Sequence, residues 1–146
     1  MTTTDTPTEL RLERTFAAPP ARVFDAWTNP EVLRRWWTAA PDGDTPLAEV
    51  DLRVGGGYRL TMRGPQGEFT VFGRFEAIEP PDRLVYTWAW EEMAPMDTLV
   101  TVEFRAEGDG TRVVLTHTGL PSDEQRAQHE HGWHAVLDSL ERRTLS

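Results

Sequence analysis

The chain of 146 residues contains no cysteine, which excludes disulfides, thiolate metal sites and a cysteine nucleophile. It has no apolar run near the roughly 20 residues that a membrane-spanning helix needs, and residues 1–7 lack the basic and apolar regions of a signal peptide. Its 15 basic residues are all arginine and face 24 acidic residues, for a net charge of -9. This balance argues against binding of nucleic acid, which requires a clustered basic patch. We therefore expect a cytoplasmic protein with no membrane span and no nucleic-acid partner.

The composition is typical of a globular domain, with 38% hydrophobic and 10% aromatic residues. A chain of this length fits one domain and can bury a substantial core. Because the N-terminus is polar and lacks a hydrophobic pattern, we expect residues 1–8 to be a disordered tail. Residues 9–146 should then form a single domain.

Hydrophobic periodicity predicts a strand, two short helices, six further strands joined by turns, and one long helix. Val23, Phe24 and Trp27 have helical spacing, and Asn29 before Pro30 predicts the cap of a second helix. From residue 47 to residue 54, apolar and polar residues alternate, which predicts a strand over that range. Turn residues separate the later strands, as in an antiparallel meander. The predicted fold is therefore α+β, with a long helix across one face of the sheet.

The C-terminal helix, predicted over residues 122–145, has an unusual inward face. Ser122 predicts its N-cap, and Gln125 three residues later completes the pattern of a capping box. The residues that recur at helical spacing are His129, Gly132, Trp133, Val136, Leu137 and Leu140. A face that carries a histidine and a glycine beside apolar residues suggests a lined cavity between helix and sheet.

Together these motifs resemble the START-like or Bet v 1-like superfamily, also called SRPBCC, whose fold is termed helix-grip. Within it the chain is similar to the branch named after the activator of the Hsp90 ATPase. The segments that carry the resemblance are residues 26–31 with Leu33, Trp36 and Trp37; 51–56; 73–85 with Trp88 and Trp90; 110–112 with 115–117; and His129, Gly132, Trp133 and Leu137. They span nearly the whole chain and are specific as a set.

The resemblance implies a curved antiparallel sheet of about seven strands that wraps the long helix, with the two short helices between strands 1 and 2. It also implies an apolar cavity between sheet and helix. It does not identify a reaction, since one fold hosts many functions. Relatives include lipid carriers, receptors and cyclases, so we expect neither a cofactor nor a definite enzymatic activity.

The preferred hypothesis is a binding module for a small hydrophobic or amphipathic molecule. We expect aromatic and apolar side chains to form the walls of its site, and two histidines to orient a polar end of the ligand. The expected ligand-binding residues are Trp36, Trp37, Met62, Trp88, Trp90, His117, His129, Trp133 and Val136. The direction in which Arg74 points stays open, and if it points inward it is a partner for an anionic ligand.

An enzyme of the cyclase or hydrolase kind is the first alternative, with His117 or His129 as general acid/base. The sequence does not support other catalytic groups. Gly55-Gly56-Gly57 leads into a strand and lacks the lysine of a phosphate-binding loop. A metal site is not expected, because only His131 and His134 have helical ligand spacing and both lie off the inward face.

The second alternative is a chaperone-associated, stress-related protein-interaction factor. It predicts an exposed apolar patch, formed either by Trp27, Trp36 and Trp37 or by residues 91–97 with Met93 and Met96. A homodimer through the same patch is a further expectation. The loop of residues 91–97 is also a candidate lid, since flexible methionines adapt to ligands.

Overall fold

The computed structural model describes residues 8–40, 42–93 and 98–145. The strands are β1 (Thr8–Phe16), β2 (Asp44–Val50), β3 (Gly57–Gly64), β4 (Gly67–Glu79), β5 (Arg83–Trp90), β6 (Thr98–Glu107) and β7 (Gly110–Leu120). The helices are α1 (Pro20–Thr28), α2 (Pro30–Trp36) and α3 (Asp123–Leu140), and α3 continues into a π-helical segment, Glu141–Leu145. The α+β prediction is confirmed, including the two short helices after the first strand. The predicted tail lies outside the described residues except for Thr8, which begins β1.

All seven strands form one antiparallel sheet in the order β1-β7-β6-β5-β4-β3-β2. Sequential strands pair from β2 to β7, and β1 completes the sheet by pairing with β7. The sheet curves around α3, as the helix-grip resemblance implied. Tight turns set the register, and the β3–β4 hairpin closes with Gly64 opposite Gly67, whose φ of 118° favours glycine.

Two N-caps determine where α2 and α3 begin. The Asn29 side chain accepts a hydrogen bond from the backbone N–H of Glu31, and the Ser122 hydroxyl accepts one from that of Gln125. Each cap satisfies a backbone donor that the first helical turn leaves unpaired. Both predicted caps are confirmed.

One predicted boundary was wrong. The strand predicted to residue 54 ends at Val50, and the chain then forms a turn in which Leu52 and Val54 are 45% and 67% exposed. The last residue pair between β2 and β3 is Val50 with Tyr58, so pairing stops there. Apolar alternation within one segment does not show where its partner strand stops pairing. The C-terminal helix extends to Leu145 as predicted, and its last turn, Glu141–Leu145, is π-helical.

The core beneath α1 and α2 is aromatic. Trp27 contacts Trp36 and Phe104 edge to face, with ring centroids 5.4 and 5.7 Å apart. Trp27, Trp36 and Trp37 are all at least 95% buried, so they do not form the exposed patch that the interaction hypothesis required of them. That prediction is overturned because the two helices pack their tryptophans inward. None of the described helices is long and apolar enough to cross a membrane.

Candidate functional site

A cavity of about 190 Å³ lies between α3 and the sheet, near the N-terminal half of the helix. Its walls come from the segment directly after α2, from β3, from β5 and the residues that follow β5, and from one face of α3. The lining residues are Trp37, Ala39, Met62, Trp88, Trp90, Met93, Gln125, Gln128, His129, Gly132, Trp133 and Val136. None of them is an acid or an arginine, so the wall carries no formal charge while His129 is neutral.

Seven of the nine expected ligand-binding residues line this cavity, and two do not. Trp36 is fully buried behind the wall, where its indole N–H donates to the carbonyl oxygen of Ala26 over 2.9 Å. His117 is also fully buried and lies beneath Trp88, with ring centroids 5.3 Å apart. The helical and strand periods place a residue on the inward side but do not distinguish the wall from the layer behind it.

Three tryptophans from separate elements meet at the floor of the cavity. The ring centroids of Trp88 and Trp133 are 4.9 Å apart, and Trp37 lies 5.8 Å from Trp88 and 5.9 Å from Trp133. Such edge-to-face and tilted pairs are the preferred arrangements of aromatic rings. The floor is therefore a preformed aromatic surface.

His117 is held as a neutral imidazole in one tautomer. Its Nδ1 accepts a hydrogen bond from Nε1 of Trp133 over 3.2 Å, so its Nε2 carries the proton and donates to Oγ1 of Thr98 over 3.0 Å. The Thr98 hydroxyl in turn donates to the carbonyl oxygen of Trp88 over 2.7 Å. Burial, with a smaller contribution from nearby His129, lowers the pKa of His117 from 6.5 to about 3.

His129 repeats the pattern with the opposite tautomer. Its Nε2 accepts from the indole N–H of Trp90 over 3.1 Å, and its Nδ1–H donates to the carbonyl oxygen of Gln125 over 2.8 Å. Burial lowers its pKa, although the hydrogen bond to Gln125 acts in the other direction. The two imidazoles lie within reach of each other, as expected, with ring centroids 5.2 Å apart.

These hydrogen bonds determine what the histidines can do chemically. A general base needs a free nitrogen lone pair within reach of a substrate proton. In both rings the unprotonated nitrogen already accepts from an indole, so neither lone pair is free. Both imidazoles are therefore neutral members of a structural hydrogen-bond network.

Three of the residues that line the cavity each have a buried polar atom that lacks a hydrogen-bond partner within the described residues. These atoms are Nε1 of Trp37, Nε1 of Trp88 and Oε1 of Gln125. Trp37 and Trp88 are 98% and 96% buried, so solvent at the protein surface does not reach their indoles. Buried polar groups are normally hydrogen-bonded, and each exception requires an explanation.

Gln125 was not expected to be a site residue, because its spacing from Ser122 predicted a capping role. The capping box forms in one direction only: the Gln125 backbone N–H donates to the Ser122 hydroxyl, while its side-chain Oε1 is buried without a partner in the described chain. The signal in the sequence was its position four residues before His129, which places both on one face.

A larger groove of about 400 Å³ adjoins the cavity and shares Ala39, Met62 and Gly132 with it. The groove runs between α3 and the β3–β4 hairpin, and it includes Arg63 and His131. A Cβ atom added to Gly132 would meet nothing within 4 Å. The glycine therefore leaves open space where the two cavities meet, and close packing does not require it.

Arg74 points away from the cavity. Its side chain is 64% exposed and lies 3.5 Å from Glu76, so it is not a partner for an anionic ligand in the cavity. Among the described residues there is no group of three or more histidine and acidic side chains that could hold a metal ion. Met93 lines the cavity, whereas Met96 and the rest of the proposed lid, residues 94–97, lie outside the described residues.

The chain matches the sequence model of a protein family over most of its length. The family is described as "Activator of Hsp90 ATPase homolog 1-like protein", and the match covers residues 17–144. A search of the curated proteins found no match.

Several solved structures are similar over nearly the whole chain. A protein from Chromobacterium violaceum is 26% identical, with a TM-score of 0.82 and coverage of 92% of this chain and 94% of that one. An AHSA1-like protein from Aeromonas hydrophila is 29% identical, with a TM-score of 0.76 and coverage of 92% and 90%. An HSP90 activator from Plasmodium falciparum is 27% identical, with a TM-score of 0.72 and coverage of 92% and 94%.

Proposed function

We propose that this chain, which belongs to the Activator of Hsp90 ATPase homolog 1-like family, is a non-catalytic module that binds a small hydrophobic or amphipathic ligand. The ligand occupies the cavity between the sheet and α3. The observation that carries the proposal is a largely apolar, aromatic-lined cavity with three polar side chains, Gln125, Gln128 and His129, among its lining residues. Ligand sites typically combine mostly apolar walls with a few such polar groups.

The size of the cavity limits what it encloses. An apolar cavity of about 150 Å³ is large enough to bind benzene. A cavity of about 190 Å³ therefore accommodates a single ring or a short chain. A longer ligand has room only by extending past Gly132 into the adjoining groove.

The hydrogen bonds of His117 and His129 support binding rather than catalysis. The enzyme alternative required one of these rings as general acid/base, yet indoles occupy the unprotonated nitrogen of both. Protonation of His117 is also unfavourable near neutral pH because burial lowers its pKa to about 3. A binding module needs neither a free lone pair nor a titrating group.

Native mass spectrometry of the chain purified from its own host tests this proposal. We expect a stoichiometric small molecule that the Gly132→Leu variant, with a side chain added at the cavity, no longer retains. Ala127→Leu is the matched control, because it places the same side chain at an exposed position of α3. The proposal would be overturned if neither the wild type nor the control retained a small molecule and neither bound single-ring probes.

A chaperone contact is the second candidate function. It is supported by similarity to the Plasmodium HSP90 activator and by the exposed Leu52 and Val54 in the turn between β2 and β3. The test is the ATPase rate of the host Hsp90 with this chain and with a Leu52→Ser, Val54→Ser double variant. An unchanged rate with wild type contradicts this candidate, and stimulation that the variant loses supports it.

A further inference from the structure

We infer that the ligand is an elongated molecule whose ring or short apolar end fills the cavity and whose apolar tail passes Gly132 and lies along the adjoining groove. This inference rests on the proposed function and specifies the shape and chemical class of the ligand. The juxtaposition that carries it is a cavity and a larger groove that share three lining residues, one of which is a helical glycine with open space where a side chain would be.

The junction between the two spaces lies at Gly132 of α3. The other shared lining residues are Met62 of β3, whose unbranched side chain adapts to a neighbour, and Ala39 after α2. Glycine within a helix lowers helix stability relative to alanine, and at Gly132 an added Cβ would meet nothing within 4 Å. Packing therefore does not account for this glycine, whereas a tail that passes α3 at this point would use the space that it leaves.

The side of the groove that the β3–β4 hairpin forms is fixed by close packing. Gly64 and Ala40 both line the groove, and a Cβ added to Gly64 would lie 2.8 Å from the Cβ atom of Ala40. Close packing therefore requires the glycine at position 64, in contrast to the free space at Gly132. The hairpin is held against the segment after α2, and the groove is a preformed part of the fold.

Phe69 supplies an apolar contact surface that the rest of the fold leaves uncovered. It pairs with Met62 across β3 and β4, and both residues line the groove together with Pro65 and Ala135. Phe69 is 39% exposed. Removal of apolar surface from water stabilises a complex roughly in proportion to the area that is buried. An apolar tail in the groove would cover this ring.

Charge contributes little to the groove. Among the described residues that line it, Arg63 alone carries a formal charge. The Nε and Nη2 atoms of Arg63 donate to the two carboxylate oxygens of Asp44 over 3.0 and 2.5 Å, and Nη1 lies 3.7 Å from Glu68. Because the guanidinium already has two acidic neighbours, the groove recognises a tail through apolar contact rather than through charge.

Benzyl alcohol, phenylpropanol and phenylhexanol test the inference by NMR titration of the full chain. They share a ring and a terminal hydroxyl and differ only in the length of the chain between them. Full burial of one methylene raises affinity about fourfold, and partial burial in a groove with exposed lining residues should give about twofold. We therefore expect phenylhexanol to bind about thirtyfold more tightly than benzyl alcohol.

Variants localise the gain in affinity. Ala135→Leu fills part of the groove and Phe69→Ala removes its aromatic side, and neither residue lines the cavity. Both variants should bind benzyl alcohol as the wild type does, while phenylhexanol loses most of its advantage. Ala127→Leu, at an exposed position of α3 that lines neither space, should preserve that advantage.

Two outcomes would overturn the inference and leave the binding module intact. One is benzyl alcohol and phenylhexanol binding to the wild type with equal affinity. The other is a gain with chain length in Ala135→Leu as large as in the wild type. Failure of the wild type to bind any of the three alcohols would overturn both the inference and the proposed function.

Discussion

The indole of Trp133 donates to Nδ1 of His117 over 3.2 Å, which joins the middle of α3 to the last strand through two fully internal side chains. The bond assigns the tautomer of His117 and uses the only lone pair that could have made it a base. Because Nδ1 must be unprotonated to accept this hydrogen bond, the bond forms only while His117 is neutral. Protonation of His117 is therefore expected to lower the stability of the folded chain.

Acidification should destabilise the protein before most carboxyl groups titrate. The pKa of His117 is about 3 in the folded state and about 6.5 when unfolded, so the unfolded chain binds more protons between these values. The stabilisation that His117 provides as a neutral imidazole is complete above pH 6.5 and is lost as the pH falls. We expect the free energy of unfolding to drop by up to about 1.4 kcal/mol per pH unit from this residue.

Urea denaturation between pH 7.5 and 5 measures this slope. His129 adds in the same direction, because burial also lowers its pKa. Asp44 and Glu91, whose pKa values are lowered by hydrogen bonds from Arg63 and Arg59, titrate below this window. A His117→Gln variant should be less stable at pH 7.5 but should show a shallower slope, and an unchanged slope would contradict the assignment.

Trp133→Phe should cost more stability than Trp37→Phe. Both side chains are at least 97% buried and lose a similar volume, but only the first substitution leaves a buried acceptor unpaired, on His117. The Trp37 indole donates to none of the described residues. We expect the difference in unfolding free energy to be about 1–3 kcal/mol. Equal losses in chemical denaturation would show that the Trp133–His117 bond contributes little.

Gly132→Ala should stabilise the fold by about 0.5–1 kcal/mol, because the site is helical and the new Cβ meets no atom. Gly132→Leu should remain folded while it fills the space shared by the cavity and the groove. Gly132→Ala therefore tests helix propensity, whereas Gly132→Leu tests whether a ligand uses the space that the leucine fills. Thermal denaturation reports the first effect and toluene titration the second. A Gly132→Leu variant that binds toluene like wild type would place the ligand elsewhere.

Ser122→Ala should destabilise the protein by about 1 kcal/mol, since its hydroxyl caps α3. Gln125→Met should change stability far less, because its side-chain oxygen makes no hydrogen bond to the described chain. Denaturation midpoints of the two variants measure the contrast. Comparable losses would indicate a complete capping box in solution, with the Gln125 side chain paired to the Ser122 backbone.

The sequence alone determined the order of elements, the α+β class and the inward face of α3, because hydrophobic period and cap residues are local signals. It also determined that the chain belongs with helix-grip proteins. It failed at Val54, since the end of a strand depends on where its partner stops pairing.

Only the tertiary structure decided which inward residues form a wall. Trp36 and Trp37 are neighbours in the chain, yet one lies behind the cavity and the other lines it. The roles of His117 and His129 likewise depended on indoles that reach them from distant elements. Hydrogen bonds between side chains far apart in sequence follow from packing, and no local pattern encodes them. For the same reason, only the packed structure placed Gln125 among the residues that line the cavity.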